Sequence, residues 1–379
     1  MSWKFETIQT ATPSSLGASS VLEFDGRDIW VSAGTSTYVY GYWDQNSDYE
    51  YLTYNYYFDD NIQSLYLYNT LATGSVLDMK YWNGKMYIMT TTNTIKVYDT
   101  STKTLVDTLT TPETTQGKLA LANNKVWVVG TALTASDQQN LYYYNILTST
   151  WSSGIAITGR KQVTPVRDMI DGLNGYLYIT SRNDHAVVKV DTTTGVMSGS
   201  HRINRHPYRL YATQNKDVYI ASDAQTTSGD PDIPIAVMGV VSKLEQTTYT
   251  STNIAAASGQ MIDLVVDIIG NFMWYIGTIS GLGRTNLTNN DFRYTLGTSV
   301  GTKIEGEYSP TRGIITPQFT YDKWNGSSFD TITVKPYLFF ISGTTLYGVR
   351  LNSMIRENSY QVLGTAIIGT GDQAYFGEA

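Results

Sequence analysis

Cysteine is missing from all 379 residues, and histidine nearly so, with three, at positions 185, 201 and 206. Without a thiol there is no disulfide scaffold, no thiolate nucleophile and no Cys-ligated metal. The compartment stays open, because a cysteine-free chain tolerates reducing and oxidising surroundings alike. Charge is scarce too: charged residues are 16% of the chain, against roughly 25% in ordinary soluble domains. The net charge of -7 excludes nucleic acid as the main partner, since neutralising phosphates needs a basic face. No apolar run reaches the about 18 residues of a membrane span. The first ten residues hold no apolar stretch of the kind a secretion signal needs. Synthesis in the cytoplasm, with no signal peptide, no transmembrane segment and no membrane insertion, is the expectation.

The familiar marks of catalysis are absent as well. There is no H-E-x-x-H, no Walker or Rossmann glycine loop and no G-x-S-x-G elbow. The sialidase pattern S-x-D-x-G-x-x-W does not occur, no Gly-Gly pair of the kelch kind is found, and Trp43-Asp44 is the only Trp-Asp pair. A three-His zinc site would need every histidine, and His185 falls in a turn away from His201 and His206. No catalytic residue, metal or cofactor is therefore expected. A mechanism using carboxylates alone stays open, because two acids from different repeats need share no spacing.

What the chain does have is Thr, Ser, Asn, Gln and 30 Tyr, a composition that suits pleated, half-buried strands. Sustained helical periodicity is absent, and the apolar alternation after Gln260 reads as a strand. A repeat runs through the chain: a turn of Asn, Gly or Asp, then an apolar residue, an aromatic residue and more apolar ones. It reads Gly26-Arg-Asp-Ile-Trp30, Asn83-Gly-Lys-Met-Tyr87, Asn123-Asn-Lys-Val-Trp127 and Asn174-Gly-Tyr-Leu-Tyr178. Further copies are Asn215-Lys-Asp-Val-Tyr219, Asn271-Phe-Met-Trp-Tyr275 and Lys335-Pro-Tyr-Leu-Phe339. The shorter separations match the roughly 40–50 residues of a four-stranded propeller blade. An apolar strand precedes each turn, as in Ser75-Val-Leu-Asp-Met79 and Pro165-Val-Arg-Asp-Met169. A third strand follows and ends in a polar turn, as in Thr94-Ile-Lys-Val-Tyr-Asp99 and Ala186-Val-Val-Lys-Val-Asp191, where Asp bonds its own backbone.

The expected fold is all-β: a single seven-bladed β-propeller of four-stranded antiparallel blades over residues 1–379. Blade boundaries fall near 17–72, 73–112, 113–158, 159–203, 204–255, 256–299 and 300–368 plus 1–12. Stacking and closure hide sheet edges that a lone blade would expose. The spare strand Trp3 to Thr10 is expected to complete the last blade beside the tail from Tyr360 to Ile368.

Loops on such a scaffold carry function. The stretch from Trp43 to Asn61 interleaves five acidic residues with Tyr49, Tyr51, Tyr54, Tyr56 and Tyr57. It suits a sugar or a protein partner, or else forms an ordinary strand of the first blade. Asp230 and Asp232 in a polar excursion could share a cation, or simply be solvated. Residues 305–332 form either an elaborated last blade or a small docking appendage. A basic cluster, Arg202, Arg205, His206 and Arg209, with Arg160, Lys161 and Arg167 upstream, could grip a carboxylate or line a solvated inter-blade turn.

The third-strand pattern, roughly V-x-V-x-D-x-x-T, resembles propeller repeats of the YVTN and NHL-like type, most closely in the second to fourth blades. The composition is similar to that of structural proteins of tailed-bacteriophage particles. That resemblance implies a non-catalytic virion component of the tail, baseplate or capsid exterior, acting as a docking platform or host-facing adhesin. Its partners would be other virion proteins and a host surface glycan, met in multiple copies. The alternatives are a propeller that binds or cleaves polysaccharide and a cytoplasmic protein-binding scaffold.

Overall fold

Each repeat folds around its aromatic residue because that residue sits on a strand apolar on both faces. Ile29–Ala33 and Lys125–Val129 are buried at every position, as expected where a sheet is covered on both sides. Tight turns set the register. Asn83-Gly84 and Asn123-Asn124 each take positive φ at both positions and close the two-residue hairpins Trp82↔Lys85 and Ala122↔Lys125, the type I′ geometry that matches strand twist.

The computed structural model describes residues 2–5, 8–41, 62–112, 117–130, 140–157, 166–181, 185–203, 206–222, 238–245, 248, 250–258, 261–267, 272–277, 281–287, 310–317, 319–324, 326–334, 336–350, 354–357, 368–370 and 373–375. They form a seven-bladed β-propeller, with no helix among them. Blade 1 is Leu22–Phe24, Ile29–Ala33, Ser36–Gly41 and Tyr66–Leu71; blade 2 is Val76–Trp82, Lys85–Thr90, Thr94–Asp99 and Leu105–Thr110. Blades 3, 4 and 5 open at Lys118–Ala122, Met169–Asp171 and Pro207–Ala212. Blade 6 shows three strands among the described residues, Met261–Asp267, Phe272–Gly277 and Gly281–Asn286. Blade 7 starts with Pro310–Thr316, Tyr337–Ser342 and Thr345–Arg350.

The ring closes through the N-terminal strand, though not beside the expected tail. Ile8–Ala11 pairs antiparallel with Thr345–Arg350, so its neighbour is the third strand of blade 7 rather than residues 360–368. Ser2–Phe5 separates from it and pairs with Met354–Glu357. A second clasp had no sequence signal: Ile62–Ser64, from the long excursion of blade 1, pairs parallel with Ile8–Thr10. It becomes the fifth strand of blade 7's sheet.

Seven apolar clusters hold the ring, one at each blade-to-blade contact. Trp30 shares a cluster with Met86 and Ile88 of blade 2, and Tyr87 with Val126 and Val128 of blade 3. Trp127 meets Leu177 and Ile179 of blade 4, and Tyr178 meets Val218 and Ile220 of blade 5. Tyr219 packs with Met273 of blade 6, and Trp274 with Leu338 and Phe340 of blade 7. Phe339 then returns to Ile29 and Val31 of blade 1. In blade 6 the forward-facing aromatic is thus Trp274, while Tyr275 faces back onto blade 5. Successive strand residues point to opposite faces, so one step reverses the partner.

Antiparallel order also sorts the connections. The first-to-second and third-to-fourth turns share one face of the ring. The second-to-third turns and the links between blades share the other. In blade 7 the first-to-second connection carries a hairpin of its own, Phe319–Trp324 with Phe329–Val334. Of residues 305–332, expected to be either an elaborated last blade or a small docking appendage, 319–324 and 329–332 fall in this hairpin on one face.

Candidate functional site: the central channel

Each blade contributes its first strand to a central channel, and one position on that strand is set by the aromatic across the ladder. Two residues beyond that aromatic, the partner on the first strand is Asp78 (opposite Met89), Lys118 (opposite Val129), Arg209 (opposite Ala221), Asp263 (opposite Ile276) or Arg312 (opposite Ile341). In blade 4 it is Asp168, whose carbonyl accepts from Thr180 N, and in blade 1 it is Val21, whose carbonyl accepts from Ser32 N. From blade 2 to blade 7 the tier therefore reads Asp, Lys, Asp, Arg, Asp, Arg. A ring of seven cannot alternate throughout, and the neutral Val21 stands where the alternation has to break.

The three aspartates do the same job. Asp78 accepts from Met79 N at 3.1 Å and from Leu119 N of blade 3 at 3.1 Å. Asp168 accepts from Met169 N and, at 2.9 Å, from Leu210 N of blade 5. Asp263 accepts from Leu264 N and, at 2.9 Å, from Gly313 N of blade 7. Each carboxylate thus ties its own blade to the next, at the residue following the next blade's base. Arg209 Nη1 also donates to Asp168 at 3.1 Å, and its Nε lies 3.8 Å from Asp263. Burial pushes Asp263 up to about 6 despite Arg209. Burial also opposes ionisation of Asp78, but Lys80 and Lys118 outweigh it and hold that carboxyl below its ordinary value.

Toward the opposite face the channel turns largely apolar, with Ala120, Ile170, Tyr211, Val265 and Ile314 lining it beside Glu23 and Lys80. Lys80 Nζ is 3.8 Å from Glu23 and 3.7 Å from Asp78. Protein around Glu23 raises its carboxyl to about 7, with Lys80 pulling the other way. The two tiers enclose a cavity of about 420 Å³.

The sequence candidates are scattered. Tyr49, Tyr51, Tyr54, Tyr56 and Tyr57 lie outside the described residues, as do Arg160, Lys161, Arg205, Asp230 and Asp232. Residues 49–58, the alternative strand of blade 1, likewise lie outside the described residues, among which the fourth strand of that blade is Tyr66–Leu71. Arg202 is exposed on the outer strand of blade 4, whereas Arg209 is buried in the channel. The basic cluster is thus split between rim and axis, because a strand start carries Arg209 inward. His206 stacks on His185 at 4.5 Å, so His185 is beside one of the other histidines after all. His201 is buried against Tyr178, and burial takes it down to about 4. Among the described residues no group of three His, Asp or Glu is placed to hold a metal.

The aspartate ties went unread in the sequence, although Val-Leu-Asp78-Met and Val-Arg-Asp168-Met were visible as opening strands. Counting back nine to eleven residues from the aromatics at 87, 127, 178, 219 and 274 aligns Asp78, Lys118, Asp168, Arg209 and Asp263, whereas the inserted hairpin puts Arg312 27 residues before Phe339 and hides it from such a count.

No protein-family model matches the chain, and no curated protein is similar to it in sequence. Solved structures share the architecture. The WD40 domain of Neurospora crassa Pan2 is similar with a TM-score of 0.59 at 7% identity, over 92% of this chain and 94% of that one. The computationally designed Ika8 protein is similar with a TM-score of 0.52 at 11% identity, over 89% of this chain and 99% of that one. These likenesses place the chain among β-propellers. At such identities the fold is what they share. No helix among the described residues is long and apolar enough to cross a membrane.

Proposed function

We propose that this propeller is a non-catalytic docking platform, a structural component of a tailed-bacteriophage particle in the tail, baseplate or capsid exterior. One observation carries the docking reading. Among the described residues, four of the eight exposed large apolar side chains, Leu147 (76%), Leu173 (47%), Val196 (61%) and Phe329 (67%), fall on a single face, the other four lying on the outer strands of blades 1 and 2. That is the face of the first-to-second and third-to-fourth turns, and Leu147, Leu173 and Val196 occupy the adjoining blades 3 and 4. Exposed apolar groups gathered on one side suit contact with another protein. The charge-poor, Thr- and Tyr-rich composition supports the virion setting, where many copies turn weak contacts into firm attachment.

Mass spectrometry of purified particles is the test of the setting, with the chain expected among the structural proteins. Absence from every virion fraction would remove that reading. For the docking face, Leu147→Asp with Val196→Asp should leave melting unchanged and prevent incorporation into particles.

A second reading has its own observation. Glu23, near neutrality in a channel that also holds Asp78, has the ionisation of a general acid for glycan cleavage. Polysaccharide depolymerisation that vanishes in Glu23→Gln would favour it over the platform.

A further inference from the structure

Blades 1 to 5 share a fault in step at their outer edges. In blade 1 Val39 faces Asn69 and Tyr40 faces Leu67, which leaves Tyr68 as an extra residue on the outer strand. The same displacement leaves Val106 extra in blade 2, Ser198 in blade 4 and Ile254 in blade 5. In blade 3 the outer edge is in two pieces, Thr150–Trp151 and Ile155–Ala156, one residue out of step with each other along Asn140–Asn145. Where the outer strand is continuous, the fault lies one or two residues from the end of the third strand, whose last residues are Gly41, Asp99, Asp191 and Leu244. The extra side chains have little in common, since Tyr68 and Val106 are exposed and Ile254 is buried. What the blades share is therefore a feature of the main chain.

An outermost strand turns N–H and C=O groups away from its sheet and is a template for another strand. In an intact antiparallel ladder successive residues bond inward and face outward by turns, so the outward groups form a regular row. One extra residue breaks that row, because the groups on either side of a bulge are out of phase and the strand bends. A regular incoming strand can then meet one side only, and each side is a few residues long. The edge of blade 2 has most need of this. Leu105–Thr110 is exposed at five of its six positions, with Leu105 and Val106 each at 50%, and Val106, Thr108 and Thr110 are residue types that favour pairing. In blade 7 the outermost strand among the described residues, Ile62–Ser64, is only three residues long, a second way of shortening an edge.

We propose that these bulges guard the rim of the ring against strand-to-strand pairing with a second copy of the chain, so that the edges stay unjoined where copies are crowded together. Val106 is the guard of blade 2. Without it, Asp107 would follow Leu105 in step, and every other residue of the strand would keep its partner on Thr94–Asp99. The guard acts at the rim alone and holds whether or not the apolar face is a docking surface.

Deletion of Val106 from the full chain, followed by sedimentation velocity over a wide range of concentration, tests this. The parent and Val106→Ala, which keeps the bulge, should show the same mass. The deletion variant should rise to about double that mass as concentration increases, the two copies pairing edge to edge about a two-fold axis. Hydrogen exchange should slow at the amides of the outer strand of blade 2 in the associated form. Deletion also removes a half-exposed apolar side chain, so general surface stickiness falls and a gain in association reports the edge. Deletion of Ser198 repeats the test in blade 4, where the extra side chain is polar. The proposal is overturned if both deletion variants melt and sediment as the parent does, or if they associate without slower exchange in the outer strand. Association of the parent that slows exchange in these same strands would overturn it too. So would loss of cooperative melting in both variants, which would make the bulges a requirement of the blade and not a guard of its edge.

Discussion

Tyr87 and Tyr178 fill the space between neighbouring blades and have 3% and 0% exposure. Replacing either with Ala should cost about 3–5 kcal/mol, read as a lower melting temperature, because the rigid blades on both sides cannot close the cavity. Unchanged melting in both would mean that the anchors do not hold the blades together. Tyr178→Phe is milder, since it keeps the ring between the blades and gives up the phenol oxygen that accepts from Asn174 Nδ2. Glu23 gives a test in pH. Its carboxyl ionises near 7 in the folded chain and near 4.5 when unfolded. The folded state therefore holds this proton more tightly, and ionisation begins to cost stability above about pH 4.5, with the full penalty above about pH 7. Glu23→Gln should match the parent at pH 4 and exceed it at pH 8, by about 1–2 kcal/mol once channel water and the lost Lys80 contact are allowed for. Lys80 keeps Asp78 as its counter-ion in that variant.

At the scale of the strand and the turn, the tie from Asp168 to blade 5 joins two elements that share no other ladder. Asp168→Ala leaves the Leu210 N–H unmet and Arg209 with only its longer contact to Asp263, so a cost of about 2–4 kcal/mol is expected in denaturant unfolding. Asp168→Ala combined with Arg209→Met should cost less than the sum of the two single changes, because the guanidinium deprived of its nearest carboxylate is gone. Additive losses would show that the pair does not act as a unit. The outer turns are built differently. Asp99 accepts from Ser101 N and Thr102 N, and Asp191 from Thr193 N and Thr194 N. The Ser101 hydroxyl, which also donates to Asp99, and then the Thr102 N–H do most to hold that carboxyl down at about 2. Glycine matters where a ring needs its room: a Cβ at Gly348 would run into the Phe339 ring directly opposite.

For the molecule as a whole, closure rests on Ile8–Ala11, whose ladder to Thr345–Arg350 ends the row of sheets. Removing residues 1–11 should replace one cooperative melting transition by a broader and lower one, since blade 7 loses its fourth strand and Ile62–Ser64 loses its partner. A truncated chain that melts like the parent would show that the ring does not depend on this strand. Much of this was legible beforehand. Turn residues, a β-branched and aromatic second strand and Asp-led outer turns are local signals, each sufficient to specify a short antiparallel hairpin, and their recurrence specified a ring of seven. The sequence could not say which strand end meets which. Ile62–Ser64 carries no mark of its parallel pairing with Ile8–Thr10, and Trp274 and Tyr275 look interchangeable until the pleat assigns each a neighbour. The charged tier belongs to this second kind of information. Asp78, Lys118, Asp168, Arg209, Asp263 and Arg312 are far apart along the chain, and only a closed ring, by turning seven first strands toward one axis, makes them neighbours. Local hydrogen bonding and strand propensity act over a few residues and are written in the sequence. Burial of charge depends on what the rest of the chain brings alongside, so the channel's chemistry was decided by tertiary structure.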